Sequence, residues 1–245
     1  MENNDFTILT FDTKLFGFKV AKILSSRLDL EHLQSILHTL REQGVKLVYW
    51  ASDHTDEKSQ KAACKVGGFL ADMKVTYVTL TELKKLHLDK FTVVPEIIEY
   101  KSLKPSQALE KLAMEAGKYS HFKTDPQFPP LLFRKMYKKW ITNSINGKIS
   151  KHVLVYKKNR RIAGLITLGE KDGRGDIGLL AVDAAFRGQG IGYKLITAAQ
   201  KQFLQDNYQH SQVVTQLGNV AACRIYEKTD YVVEKIENFY HFWLN

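Results

Sequence analysis

Apolar positions change period several times along the chain, and each change marks an element. Leu30, Leu33, Ile36, Leu37 and Leu40 recur at helical spacing, which predicts a helix from Leu30 to Gln43. Asp29 stands where an N-cap belongs and Gly44 where a C-cap belongs. The apolar run Val45 to Ala51 predicts a central strand, Asp56 to Val66 a short helix closed by Gly67-Gly68, and the alternation from Phe69 to Leu80 another strand. With strands at 6–10 and 18–24, joined by a loop at 11–18, the first stretch reads β-β-α-β-α-β. Thr81 to Val94 is charged and poorly periodic, and Pro95 ends it. The expected boundary therefore divides residues 1–90 from residues 91–245.

The second stretch opens with a strand at 96–101 and a helix at 106–117, with Ala108, Leu109, Leu112 and Ala116 on one face. Tyr119 to Pro130 holds three prolines and no period, so it reads as an ordered loop. Leu132, Met136, Trp140 and Ile141 predict a helix over 131–145. A hairpin is expected at 153–156 and 162–168 around Lys157-Lys158-Asn159-Arg160, then a tight turn at 170–175 and a strand at 176–182. Leu195, Ile196, Ala199 and Phe203 predict a helix over 193–205. A strand over 211–217, a helix over 219–226, and two strands or one bent strand over 231–244 close the chain. Alternation of this kind gives an α/β fold with a mixed sheet.

Between the apolar run Ile177 to Val182 and the helix from Tyr193 stands Arg187-Gly188-Gln189-Gly190-Ile191-Gly192. Glycines there remove the Cβ atoms that block close backbone approach and permit positive φ. The first N–H groups of the helix have no intrahelical partner, and the helix dipole adds about half a positive charge. A phosphate or pyrophosphate suits such a turn. The P-loop pattern is absent, because Gly192 is followed by Tyr193-Lys194-Leu195. The dinucleotide fingerprint fits poorly too: the glycines alternate and lie late in the chain. A glycine-rich connection without a ligand is the remaining alternative.

Val182-Asp183-Ala184-Ala185-Phe186-Arg187-Gly188-Gln189-Gly190 resembles the pyrophosphate loop of the Gcn5-related N-acetyltransferase (GNAT) superfamily, with Ala184 where members often carry proline. Asn219-Val220-Ala221-Ala222-Cys223-Arg224-Ile225-Tyr226 resembles the superfamily's Asn-x-x-Ala-x-x-x-Tyr helix beside the cofactor. The resemblance implies a GNAT fold and acyl-CoA, acetyl-CoA by default, as co-substrate. Residues 1–90 look like a partial GNAT copy: Ala63-Cys64-Lys65 parallels Ala222-Cys223-Arg224, but no Arg-x-x-Gly-x-Gly loop is present. Such a unit is expected to serve dimerisation or substrate shaping. Within the superfamily the whole chain resembles the dTDP-4-amino-4,6-dideoxygalactose acetyltransferases. Three segments carry this: Phe11 to Phe18, Ser120-His121-Phe122 (Ser-Arg-Phe in that family), and Thr215 to Asn219. The implied acceptor is a dTDP-linked amino-dideoxy sugar, with Phe16, Gly17, Ser120, His121, Phe122 and Lys123 as expected substrate contacts.

Four tasks follow from the resemblance. Backbone N–H groups from Arg187, Gly188, Gln189, Gly190, Ile191, Gly192 and Tyr193 hold the pyrophosphate, with the Arg187 side chain available nearby. Leu180, Ala181 and Val182 run beside the pantetheine arm, and Asn219 and Ala222 flank it. A backbone N–H near Leu180 polarises the thioester carbonyl, an interaction typically worth about 3 kcal/mol. Tyr226 protonates the leaving thiolate, as a phenol with a pKa of about 10 can; a core tyrosine is the alternative. For the base, Glu170, Asp176 and His121 are candidates. Each has a solvated turn residue as its plainer reading, and a water chain is the alternative route. Phe122 stacks on the thymine or sugar, or packs in the core.

Composition narrows the rest. A net charge of +10 asks for an anionic partner or simply a solvated basic surface. The lysines are spread along the chain, with no recognition-helix or zinc pattern, so nucleic acid is not expected. Cys64 and Cys223 lack metal or disulfide spacing and read as small buried hydrophobes in a reducing compartment. No apolar run approaches the roughly 20 residues of a membrane helix, and the first residues are unlike a signal peptide. The expectation is a cytoplasmic, homodimeric enzyme without a metal. A GNAT acting on another amine, such as a protein N-terminus, and an acyl-CoA-binding module without turnover are the rival readings.

Overall fold

The computed structural model describes residues 5–79, 82–85 and 94–244. The boundary expected at residue 90 lies outside them. Strand β1 (Phe6–Ile8) leads into helix α1 (Thr10–Phe16), β2 (Lys19–Ile23), α2 (Leu30–Glu42), β3 (Val45–Asp53), α3 (Glu57–Lys65) and β4 (Phe69–Thr79). The second stretch runs β5 (Ile97–Glu99), α4 (Gln107–Ala116), α5 (His121–Thr124), α6 (Pro130–Ile145), β6 (His152–Lys158), β7 (Arg161–Lys171), β8 (Arg174–Val182), α7 (Ile191–Gln205), β9 (Ser211–Gln216), α8 (Val220–Glu227) and β10 (Tyr231–Trp243).

Among the described residues, ten strands form one mixed sheet, ordered β1-β2-β3-β10-β4-β9-β8-β7-β6-β5. The last strand therefore lies between two strands of the first stretch. Glu237 to Trp243 pair antiparallel with Asp53 to Leu47, while the other edge of β10 pairs with β4. The expected pair of strands, or one bent strand, is a single long strand. Register shifts at Val233/Lys235 and Phe239/Tyr240 let it follow the sheet's twist.

Alternation along the strands feeds cores on both faces. Leu47 and Tyr49 pack with Leu165, Leu179 and Phe239 in the core that includes Leu109, Leu112, Met136 and Ile141 from α4 and α6. Val48 and Trp50 point the other way, into a core with Leu33, Leu37 and Leu40 of α2 and Ala62 and Ala63 of α3. On that same side of the second stretch, Ile166, Ile177 and Val213 pack with Leu195, Ala199 and Phe203 of α7 and Tyr226 of α8. Asp29 caps α2, its side chain accepting the His32 N–H, as its position implied.

Three expectations need correction. Residues 11–18, read as a loop, hold most of α1 (Thr10–Phe16): the segment is under two turns, and no side chain caps its start. The loop at 119–130 contains a single helical turn, α5, which aims His121 and Phe122 inward. Cys64 is exposed rather than buried, because it lies on the outer face of α3; Cys223 is buried as expected.

Candidate active site

Strands β8 and β9 are parallel neighbours only where Gly175–Ile177 face Ser211–Val213. Beyond that point they part, and a cleft opens between Leu180 and the end of β9. A bulge in β8 marks the same place: Thr167 of β7 faces both Gly178 and Leu179, and its Oγ1 accepts the Leu179 N–H at 2.8 Å. The wider cleft carries three joined chambers.

The outer chamber, of about 440 Å³, is a groove along Leu180, Ala181 and Val182, floored by Gly188, Gly190, Ile191 and Gly192 and walled by Asn219, Ala222 and Ile225. Gly188 and Gly190 have φ of 75° and 72°, and Gly190 caps α7 from the left-handed region. The N-terminus of α7 thus ends on this groove. Asn219 Oδ1 accepts the Ala222 N–H and starts α8 beside it. The backbone therefore fits a pyrophosphate there. The Arg187 side chain does not stand free: its guanidinium donates to Glu115 Oε1 at 2.6 Å and to the Val182 carbonyl at 3.2 Å. It staples the turn to α4 while still lining the groove. Gln189 is tied to Lys158 outside the groove. The Tyr193 side chain lines a different groove, with Val94, Ile97 and Leu154.

The middle chamber, of about 340 Å³, shares Leu180, Ala116, Asn219 and Ala222 with the outer one. Tyr226 lines it, along with Ser120, His121, Phe122 and Asp176. Tyr226 packs between Tyr77 and Tyr231, with ring centroids 5.8 Å away in each case. Burial pushes its phenol well above the ordinary range, so it is protonated at any working pH.

The inner chamber, of about 560 Å³, shares Lys74, His121, Phe122, Trp140 and Asp176 with the middle one. Phe11, Asp12, Lys22 and Tyr49 from the first stretch line it together with Glu170 and Lys171 from the second. Burial raises the Asp12 carboxyl to about 6. Lys74 sits with Nζ 3.3 Å from the Phe239 ring centroid, and burial lowers its ammonium below the usual lysine range.

Of the candidate bases, Glu170 lies at the rim and is occupied. Tyr208 Oη donates to it at 2.6 Å and Lys151 Nζ at 3.1 Å, and these bonds hold its carboxyl below the usual range. Asp176 accepts from Gln212 Nε2 at 3.2 Å, and burial raises it. His121 faces the inner and middle chambers. Phe122 packs in the core against Phe16 and Phe128, and it also lines the chamber. Three expected contacts lie elsewhere. Phe16 is buried among Phe18, Phe122 and Phe128; Gly17 closes α1 at φ 81°; Lys123 sits over the Phe133 ring on an exposed turn.

Sequence reasoning did not single out Asp125, His241 or Lys74. Asp125 and His241 join His121 in a buried chain. His121 Nδ1 lies 2.8 Å from His241 Nε2, and His241 Nδ1 lies 2.6 Å from Asp125 Oδ2. No local motif announces it, because the members come from α5, its following turn and the last strand.

Residues 110–231 match the acetyltransferase (GNAT) family. They belong to that family. The GNAT region spans α4 to the start of β10, so it holds the turn, the gap between β8 and β9 and Tyr226 but not β1–β4, which help line the inner chamber. The chain is 26% identical over 138 residues to spore coat polysaccharide biosynthesis protein SpsD of Bacillus subtilis, covering 56% of this chain and 47% of that protein. It is 31% identical over 72 residues to N-alpha-acetyltransferase 30 of Saccharomyces cerevisiae, covering 29% of this chain and 40% of that one. The chain thus spans about half the length of these relatives or less. Among solved structures, a conserved protein of unknown function from Staphylococcus epidermidis superposes with a TM-score of 0.70 at 15% identity, covering 100% of this chain and 93% of that one. A GCN5-related N-acetyltransferase from Sphaerobacter thermophilus gives 0.62 at 14%, covering 98% and 76%. These likenesses extend the shared fold to the first stretch as well.

Proposed function

We propose that this GNAT protein moves an acetyl group from acetyl-CoA to the amine of a dTDP-linked amino-dideoxy sugar, by direct attack in a ternary complex. The inner chamber is the observation that carries this reading. Its volume falls in the range of small-molecule sites. Its aromatic faces, Phe11, Tyr49 and Trp140, suit a base and a sugar ring, and Lys22, Lys74 and Lys171 suit a diphosphate. The similarity to a spore coat polysaccharide biosynthesis protein points the same way.

In the proposed reaction the pyrophosphate of CoA lies on the N–H groups of the Gly188–Gly192 turn, and the pantetheine arm fills the gap between β8 and β9. The thioester carbonyl takes a backbone N–H near Leu180. The amine nitrogen forms a bond to the carbonyl carbon, the C–S bond breaks, and Tyr226 gives its proton to the thiolate. A second reading, acetylation of a protein N-terminus, draws on the similarity to N-alpha-acetyltransferase 30.

Free-thiol release from acetyl-CoA with dTDP-3-amino and dTDP-4-amino-dideoxy sugars, beside short peptides with free N-termini, tests both. Turnover with one sugar and none with the peptides is expected. Turnover with peptides alone would replace the sugar reading with the second one.

A further inference from the structure

We propose that Asp125, His241 and His121 form a proton relay that presents the unprotonated Nε2 of His121 to the acceptor chamber as the base for the attacking amine. His121 is the catalytic residue of the three; His241 and Asp125 position it. The proposal rests on the amine-acylation reading above.

Chemistry fixes the direction of the chain. Asp125 as a carboxylate can only accept hydrogen bonds. Gln127 N–H donates to Oδ1 at 2.8 Å, and Trp243 Nε1–H donates to Oδ2 at 2.9 Å. His241 Nδ1, at 2.6 Å, must therefore carry its proton toward Asp125. Neutral His241 is then an acceptor at Nε2, so His121 Nδ1 carries the proton between them. That leaves the lone pair of His121 on Nε2. His121 lines both the middle chamber, with Tyr226, and the inner one. The relay itself is shielded: His241 and Asp125 are 0% and 2% exposed.

Burial alone would raise the Asp125 carboxyl, but the bonds from His241, Trp243 and Gln127 outweigh it and keep the group ionised. Burial, and after it the Lys74 charge, lower His121 well below an ordinary histidine, so Nε2 is bare at neutral pH. The charged groups sharing its chambers are Asp12 on α1, Lys22 on β2, Lys74 on β4, Glu170 and Lys171 on β7 and Asp176 on β8. Tyr49 on β3, Tyr137 on α6 and Tyr226 on α8 face it uncharged, and His241 comes from β10. In the reaction one N–H bond of the amine breaks and its proton goes to His121 Nε2. The imidazolium is balanced through His241 by Asp125. Tyr226 loses its proton to sulfur, and both groups recover their resting states by exchange with solvent.

Imidazole ¹⁵N–¹H correlation spectra of the intact protein read the relay without an acceptor. Both His121 and His241 are expected as Nδ1–H tautomers at pH 8; an Nε2–H tautomer at His121 would overturn the proposal. Kinetically, His121→Gln should lower kcat roughly 10²–10⁴-fold, leave the KM for acetyl-CoA within about twofold, and abolish the acid limb of the pH profile. Added imidazole should restore part of the rate to His121→Ala. Asp125→Asn and His241→Gln should lower kcat less and move the limb to lower pH, since the imidazolium loses its counter-charge. A rise in Tm with acetyl-CoA certifies each variant as folded; should the Asp125 variant not fold, His121→Gln decides. Wild-type kcat and an intact limb in His121→Gln would sink the relay while the sugar reading stood. Silence of the wild type with every sugar, with the tautomers as stated, would sink the sugar reading and keep the relay.

Discussion

At the scale of single residues, the site pairs one group that keeps its proton with one that lacks it. Tyr226 holds its proton because burial disfavours the phenolate. Replacing it with phenylalanine should lower kcat by about 10²-fold or more while acetyl-CoA still raises the Tm, as thiol-release rates and thermal melts would show. Unchanged turnover would remove Tyr226 from the chemistry. Lys74 offers a test of sign. Its charge lowers His121, so activity is present above the His121 pKa and is lost as pH falls through it. Lys74→Met should therefore move the acid limb to higher pH in a kcat/KM profile, and a limb that moves down would contradict the assignment. Tyr226 and His121 were legible in the sequence, one by its place in the Asn219 helix and the other within Ser120-His121-Phe122. Asp125 and His241 were not. They are 116 residues apart, and the pairing of β10 with β3 and β4 at His241 itself brings them together.

At the scale of elements, the turn before α7 combines backbone freedom with a helix end. Gly190 sits at φ 72° with open space where a Cβ would stand, so a side chain there meets strain rather than a clash. Gly190→Val should cost about 1–2 kcal/mol of local strain and obstruct the phosphates. A calorimetric titration should then show acetyl-CoA affinity falling well over tenfold, with the far-UV spectrum unchanged. This element was fully legible, because glycine spacing and helical period are local signals. Elements α2, β3 and α7 were legible to within two residues: α2 ends at Glu42, β3 runs on to Asp53, and α7 begins at Ile191, inside the expected turn. Helix α1 escaped because seven residues give too few apolar positions to set a period. The side-chain role of Arg187 escaped because its partner, Glu115, lies 72 residues away on α4.

At the scale of the molecule, the last strand bridges β3 and β4 in a sheet whose two stretches also meet where β4 pairs with β9, and it brings His241 and Trp243 to Asp125. Phe242, on the opposite face of β10, packs with Trp50 and Tyr240. Phe242→Ala should cost about 3–5 kcal/mol and lower the Tm by roughly 10 °C. A differential scan would show it, and a loss under 2 °C, roughly, would mean that this strand contributes little to cohesion. The sequence displayed the alternation of β10 but not its neighbours, since pairing order is a non-local property. That pairing also has a consequence for synthesis. Strands β3 and β4 leave the ribosome about 150 residues before β10 exists to separate them. At ordinary translation rates that is roughly 10–30 seconds with unpaired edges. The nascent first stretch must wait for its own missing strand, and a chain cut short before β10 leaves those edges open to other polypeptides.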